Sequence, residues 1–442
     1  MSFSAYIWEI LALMFLRLLA AAAAALLIAG PGSAARTSTL RVDCIFTGGP
    51  DGRGIALSTL SEAGPWAGRH ADMDRAPLRG NGQISLRDKA SSELIYVNSF
   101  STLFQEWLNT EEATRSTKAF ENVFLVPMPD AEAVLRIELY GNRGELIASQ
   151  EFPVDPDDIL IRKTELPAAP HRYIMENGSP SEKIDLAIVA EGYTPDEAEL
   201  FYEDAARAAR SIFAHSPFKE LSERFNVVAV ALPSAESGVS VPHDGSWKNT
   251  ALGSHFDTFY SDRYLTTLNI FRLHDALAGI PYEHIIILAN TDTYGGGGIF
   301  NSYLLASAHN RWTDPVIVHE FGHSFAGLAD EYFYDDQYTE FYYPDTEPWE
   351  PNITTLKDFS LKWADMVPEG CVPVSKETQL ADPEGWAGKP EDFSVGLYEG
   401  AGYQSEGVYR GFPECRMKIN DWPSFCPVCE RAIREIIEFY TD

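Results

Sequence analysis

Residues 312–332 read W-T-D-P-V-I-V-H-E-F-G-H-S-F-A-G-L-A-D-E-Y. Asp314 is suited to cap a helix and Pro315 to occupy its first position. Val318, Phe321 and Phe325 fall at i, i+3 and i+7, an inward apolar stripe. On such a helix His319 and His323 lie four residues apart, so both imidazoles leave one face a turn apart. Two neutral ring nitrogens at that spacing can grip one Zn²⁺. Glu320, beside the first histidine, is placed to accept a proton from water rather than to bind the ion. A glycine inside a helix costs about 1 kcal/mol against alanine, so Gly322 implies a closely packed neighbour. Gly327 can end the helix in a left-handed conformation. Three extended residues then span roughly 10 Å, which brings Asp330 within reach of the same ion. Glu331 is the rival third ligand. Asp330 is preferred because the shorter carboxylate suits a fixed turn.

The rest of the chain supplies the setting. It has 442 residues, 45% hydrophobic, enough for two or three domains with real cores. With 34 Lys+Arg against 65 Asp+Glu, the formal net charge is −31. A surface so negative repels phosphate backbones and anionic lipid, so nucleic-acid binding is not expected. Residues 18–29 form an apolar run after Arg17 and before the small residues Gly30-Pro31-Gly32-Ser33-Ala34-Ala35. That is the pattern of a signal peptide, 1–35, with Met14 a cleaner start than Met1; the alternative reading is an uncleaved anchor over residues 6–29. A secreted or periplasmic protein is expected, with no stable membrane insertion after cleavage. Five cysteines are too few for a disulfide scaffold. Cys426 and Cys429 form a single C-x-x-C, and a structural zinc usually takes two such pairs, so a local disulfide or simple burial is the reading.

Residues 40–46, 93–100 and 133–140 alternate apolar and polar and are split by turn residues, which predicts an all-β, sandwich-like domain over 36–165. One short helix is expected near 101–108. The proline-rich stretch 166–182 reads as a linker. From 183 to 442, buried strands at 184–190, 225–232, 285–289 and 299–308 alternate with helices, the first at 196–213. That predicts an α/β (α+β) domain. Residues 299–305 are an expected edge strand on which a peptide could lie, and Gly295–Gly298 reads either as permitting close approach or as a flexible turn.

At this point the chain resembles a family. His319-Glu320-Phe321-Gly322-His323 followed by Gly327-Leu328-Ala329-Asp330-Glu331-Tyr332 is similar to the bacterial secreted zinc endopeptidases of the immunoglobulin A peptidase family. Tyr398-Glu399-Gly400-Ala401-Gly402-Tyr403, Gly407-Val408-Tyr409-Arg410, Cys415-Arg416-Met417 and Phe425-Cys426-Pro427-Val428-Cys429 extend the likeness over nearly all of the chain after the signal. The resemblance implies a metzincin-like zinc metallopeptidase domain at 183–442 with Met417 in a methionine turn beneath the ion. The usual metzincin pattern ends in a third histidine, and here the glycine comes one residue later with Asp330 in the ligand's place.

The expected chemistry is peptide-bond hydrolysis, with one catalytic Zn²⁺ and Glu320 as general base. Tyr332 and Tyr409 are candidate substrate-binding or oxyanion donors. His243, His255 and His309 are not assigned to the metal. The acidic segment 331–350 reads as a solvated loop or one ordered by Ca²⁺. The competing reading is an extracellular protein- or glycan-binding protein with a structural zinc. Intact Glu320 argues against it, because a structural zinc has four closed ligands and needs no base. A third reading keeps the zinc hydrolase but gives it a substrate other than a peptide.

Overall fold

A computed structural model describes residues 38–163, 167–334, 341–381 and 393–442. The expected signal segment, 1–35, lies outside the described residues.

The first part is all β apart from one short helix. Strands β1 (Ser38–Gly49), β2 (Gly52–Pro65) and β5 (Lys118–Pro127) form an antiparallel sheet in the order β2-β1-β5. Strands β3 (Gly82–Asp88), β4 (Leu94–Phe100), β6 (Ala133–Tyr140) and β7 (Leu146–Val154) form a second, in the order β4-β3-β6-β7. In β6, Ala133, Leu135, Ile137 and Leu139 are fully buried while the residues between them are half-buried, as alternation requires of a sheet with one face inward. The apolar faces of the two sheets join one core, with Phe46 of β1 against Phe100 of β4 at 6.5 Å between ring centres. Between β4 and β5, helix α1 (Leu103–Leu108) starts where the Thr102 hydroxyl accepts a hydrogen bond from the Gln105 N–H at 3.2 Å.

The second part is built on a six-stranded sheet. It contains β8 (His171–Met175), β9 (Ile184–Glu191), β10 (Phe225–Val230), β11 (His284–Ala289), β12 (Gly296–Ile299) and β13 (Tyr303–Ser307), ordered β12-β13-β11-β9-β10-β8. The four inner strands run parallel and the two edge strands antiparallel to them. Every residue of the four inner strands is buried, which explains their uninterrupted apolar character. One face, with Leu186, Ile188, Val227, Ile286 and Leu304, packs on helices α2 (Ala198–Ile212), α4 (Thr313–Ala326) and α6 (Pro427–Thr441). The other, with Ala187, Val189, Val228 and Ile287, is continuous with the core of the two antiparallel sheets. A small outer sheet pairs β14 (Phe333–Tyr334), β15 (Ile353–Thr354) and β16 (Tyr398–Ala401) around β17 (Tyr403–Arg410). Helices α3 (Ile270–Ala276) and α5 (Lys376–Ala381) are the remaining α-helices among the described residues.

The two parts are bonded as well as packed. Arg41 of β1 reaches Asp275 of α3 at 2.6 Å and donates to the Phe271 carbonyl at 3.1 Å. The Ser101 N–H donates to the Phe300 carbonyl, and Asn301 donates to the Ser99 carbonyl. These last two bonds tie the first part to the turn between β12 and β13.

Three details depart from the sequence reading. The stretch expected as one strand over 299–308 is two, because Asn301 takes a positive φ of 49° and turns the chain between β12 and β13. The sheet edge is therefore the glycine run Gly296–Ile299, and the strand that follows it is interior. The stretch 166–182 contains β8, which caps the opposite edge of the sheet. Finally, α4 begins at Thr313, so Asp314 and Pro315 lie inside its first turn. Asp314 caps nothing there and faces Arg207 of α2 at 3.3 Å.

Candidate metal centre

Helix α4 carries both histidines. Its apolar stripe, Val318, Phe321 and Phe325, is buried against the sheet, which turns His319, Glu320 and His323 the other way. Gly327 ends the helix at φ 60°, and the Leu328 N–H closes back on the Gly322 carbonyl at 3.2 Å. The chain then reverses and brings Asp330 under the helix. His319 Nε2 lies 3.0 Å from Asp330 Oδ1, His323 Nε2 lies 3.3 Å from it, and the two Nε2 atoms are 3.0 Å apart.

These three atoms fit a small cation. With metal–ligand bonds of about 2.0–2.1 Å, tetrahedral neighbours stand about 3.3 Å apart. Each imidazole is oriented by a backbone carbonyl, which can only accept: His319 Nδ1–H donates to Arg416 at 2.9 Å, and His323 Nδ1–H donates to Leu328 at 2.5 Å. The neutral rings thus aim lone pairs, not protons, at one another and at a carboxylate oxygen that is buried without any other partner. Three such atoms facing one point form a donor set that could hold a cation. In the absence of an ion, burial pulls His323 down, but Asp330 and Glu320 prevail and push it up to about 9. Burial likewise pushes Asp330 up, and the two imidazoles overrule it and hold the carboxyl well below the usual range.

Asp330 Oδ2 accepts from the Tyr403 hydroxyl. Tyr403 is in β17, 73 residues further on, and the sequence reading did not single it out. Glu331 turns away from the histidines. It is fully buried and meets Cys429, Cys426 and Asn352 instead, which separates the two carboxylates that spacing left as rivals.

Glu320 stands beside the glycine edge strand. A Cβ on Gly296 would come within 3.3 Å of Glu320 Cγ, and one on Gly298 within 2.4 Å of the Glu320 carbonyl. The glycines therefore let the sheet edge close onto α4, rather than forming a free turn. Burial raises the Glu320 carboxyl above its ordinary range, opposed by the two imidazoles and by a hydrogen bond from the Gly298 backbone. The first part of the chain reaches the same place. Glu106 of α1 accepts from the Tyr264 hydroxyl, and burial pushes its carboxyl up to about 7, with His323 and Glu320 both within electrostatic reach.

Met417 is fully buried and sits under α4. The space above Gly322 is filled by its sulfur, 2.7 Å from where a Cβ would be. Of the two tyrosines, Tyr332 is near the His319–Asp330 cluster: its ring packs on Tyr403 at 5.4 Å, and it feels the charges of Asp330 and Glu320. Burial is the main cause of its raised pKa, so its hydroxyl keeps its proton. It also lines a 570 Å³ cavity with Leu380, Lys418, Ile419 and Trp422. Tyr409 pairs with Thr354 across the outer sheet and turns its hydroxyl to Glu399 at 3.5 Å.

The other histidines have protein partners: His243 with Asp257 at 2.9 Å, His309 with Asp204 at 2.7 Å, and His255 with the Phe256 carbonyl at 2.5 Å. The acidic segment 331–350 is described except for 335–340. In its described part, Asp345 pairs with Arg143 and Glu350 accepts from Tyr342.

A chain with a His-Glu-His cluster that could hold a metal at the edge of an α/β sheet has the parts of a hydrolase. The family model described as IgA peptidase M64 matches residues 173–382 and 377–437, and that of the peptidase M64 N-terminus matches residues 33–150. The chain belongs to the IgA peptidase M64 family. It is a peptidase, and its substrate is a protein. A comparison with curated proteins finds no match. Among the described residues no helix is long and apolar enough to cross a membrane.

Proposed function

We propose that the protein is an exported, zinc-dependent endopeptidase with a metzincin-like catalytic domain, in which His319, His323 and Asp330 hold one Zn²⁺ and Glu320 is the general base. The observation that carries this reading is the convergence of His319 Nε2, His323 Nε2 and Asp330 Oδ1 within 3.3 Å of one another, one residue from the half-buried carboxyl of Glu320.

When bound, the ion lowers the pKa of a water towards 7 and polarises the carbonyl under attack. The chain's own residues do the rest. His319 and His323 are held in one tautomer by the Arg416 and Leu328 carbonyls. Tyr403 holds Asp330 in place. Glu320 takes the proton of the attacking water and returns it to the departing amine. Its raised pKa suits that exchange, since a carboxyl closer to neutrality both accepts and releases a proton readily. Tyr332 keeps its proton and supplies a hydrogen-bond donor to the developing oxyanion, a role for which Tyr409, committed to Glu399, is the weaker candidate. The edge strand β12, in place of the expected 299–305, offers an extended peptide a place beside α4, although its Gly296 N–H is already donated to the Arg263 carbonyl at 3.3 Å.

The test is cleavage of a peptide library by the wild type, by wild type treated with a chelator, and by Glu320→Gln. Loss of cleavage in both treated arms, with one His-dependent zinc per chain, supports the reading. Unchanged turnover in Glu320→Gln overturns the role of the base. Sequencing the amino terminus of the protein recovered outside the cytoplasm tests the expected cleavage after the small residues at 30–35.

A further inference from the structure

Cys415, Cys426, Cys429 and Glu331 place one donor atom each within 4.8 Å of all the others. We propose that this cluster is a second, structural zinc site, distinct from the His319–His323–Asp330 centre and independent of whether that centre is catalytic.

The spacing suits a tetrahedron of three thiolates and a carboxylate. With zinc–sulfur bonds of about 2.3 Å, neighbouring sulfurs stand about 3.8 Å apart. Cys415 Sγ and Cys429 Sγ are 3.7 Å apart, far beyond a disulfide bond of about 2.05 Å. Glu331 Oε1 lies 3.0 Å from Cys429 Sγ and 3.9 Å from Cys426 Sγ. No residue of the four is more than 1% exposed. Such a site has no open position for water or substrate, which is the mark of a structural rather than a catalytic zinc.

The surroundings are prepared for charged ligands. The Cys426 N–H points at Cys415 Sγ at 3.2 Å, the contact a thiolate attracts. Cys426 stands at the N-terminal position before α6 and Cys429 lies in its first turn, where the helix N-terminus favours negative sulfur. Asn352 donates to Glu331 Oε1 at 3.0 Å, while Glu331 Oε2 is buried with no hydrogen-bond partner. A fully buried carboxyl with one oxygen unpaired is costly unless a cation meets it. Three thiolates and a carboxylate suit zinc above the harder divalent ions.

The C-x-x-C lacked a second pair in the sequence. Folding supplies the missing donors, one from the turn before Met417 and one from the loop after α4. The site also sits directly behind the first centre. Glu331 adjoins Asp330, and Cys415 adjoins Arg416, whose carbonyl orients His319. A metal here would clamp three separate segments that position the other metal's ligands. Losing it should therefore weaken the His–His–Asp centre, whereas losing that centre should leave the thiolate site intact.

The test is metal analysis and zinc X-ray absorption on the full chain and on the double variant His319→Ala/His323→Ala. The expected result is two zinc ions per wild-type chain and one in the double variant, with a sulfur-dominated first shell at about 2.3 Å. A double variant that is folded and holds no zinc overturns the proposal, as does mass mapping that finds any two of Cys415, Cys426 and Cys429 joined by a disulfide. Glu331→Gln, which keeps the side chain's shape, should retain zinc less tightly against a chelator at both sites. Equal retention in the wild type and Glu331→Gln would remove Glu331 from the ligand set. Because the sulfur-bound ion is read in a variant without the two histidines, failure of the peptidase mechanism and failure of this site give different results.

Discussion

Met417 Sδ occupies the space a side chain at Gly322 would need, 2.7 Å from the position of its Cβ. The glycine in mid-helix and the methionine 95 residues later are thus one packing unit beneath the two histidines. Gly322→Ala gains about 1 kcal/mol of helix propensity, but it drives a methyl into Met417 and towards Phe425 and Leu328, at 3.2 and 3.3 Å. Overpacking of this kind costs about 1–3 kcal/mol, so a net loss of stability is expected, with weaker metal binding. In a Met417→Ala background the same substitution has room and should cost nothing. Urea unfolding of the four proteins measures the coupling. Equal costs in both backgrounds would mean the two residues do not share the space.

Tyr403 is expected to govern metal affinity without touching the metal. Its hydroxyl donates to Asp330 Oδ2 and leaves Oδ1 facing the imidazoles. Removing such an outer partner typically weakens binding about 10–100-fold. Tyr403→Phe should show that loss in competition with a chelator, while its metal-free unfolding shifts little. A variant that binds as tightly as the wild type would leave Asp330 held by its backbone alone.

Gly298 separates two accounts of the glycine run. If the run serves the approach of α4, a Cβ at Gly298 meets backbone, 2.4 Å from the Glu320 carbonyl, and cannot be relieved by a rotamer change. Displacing a catalytic group by about 1 Å can cost on the order of 100-fold in rate. Gly298→Ala is expected to lose activity on that scale. Gly297→Ala points the other way, at the Tyr264 ring, 2.4 Å away, a side chain rather than backbone, and should lose less. Similar losses in both would favour a need for a flexible strand.

How much of this was legible beforehand depended on sequence distance. The helix, its two histidines, its glycine stop and the alternating strands at 40–46 and 133–140 are local patterns, and they stand where periodicity placed them. Asp330 could be reached by chain length alone, but its separation from Glu331 depends on where the cysteines of α6 fold. Tyr403, Glu106 and the Arg416 carbonyl come from segments 73 or more residues from the groups they bond, Asp330, Tyr264 and His319, with no spacing rule to announce them. The split of 299–308 into two strands turned on one residue, Asn301, in a left-handed conformation. Its own N–H is held by the Ser324 carbonyl of α4, so a tertiary contact decided what local propensity left open.

The last prediction concerns acid. His284 is buried at the start of β11, with its ring between Phe325 of α4 at 4.7 Å and Tyr440 of α6 at 5.6 Å. Its Nε2 has no hydrogen-bond partner, and burial alone lowers its pKa to about 3 from the usual 6.5. Below pH 6.5 the unfolded chain takes up a proton that the folded protein refuses until about pH 3. Protons therefore favour unfolding, and stability falls as the pH drops through that window. The full depression is worth about 4 kcal/mol at its lower end. His274 is depressed to about 3 and acts in the same direction. Asp185 acts against them: burial raises its carboxyl to about 6, so the folded state binds the extra proton between pH 6 and 3.8. The wild type's own acid slope is a sum of opposed parts, and a difference between variants isolates one of them. His284→Phe keeps an aromatic ring between Phe325 and Tyr440 and cannot titrate. In urea unfolding of metal-free protein, it should change stability by less than about 1 kcal/mol at pH 7.5. At pH 4 it should exceed the wild type by about 2–3 kcal/mol. The same difference at both pH values would show that His284 takes up its proton in the folded protein as readily as in the unfolded chain.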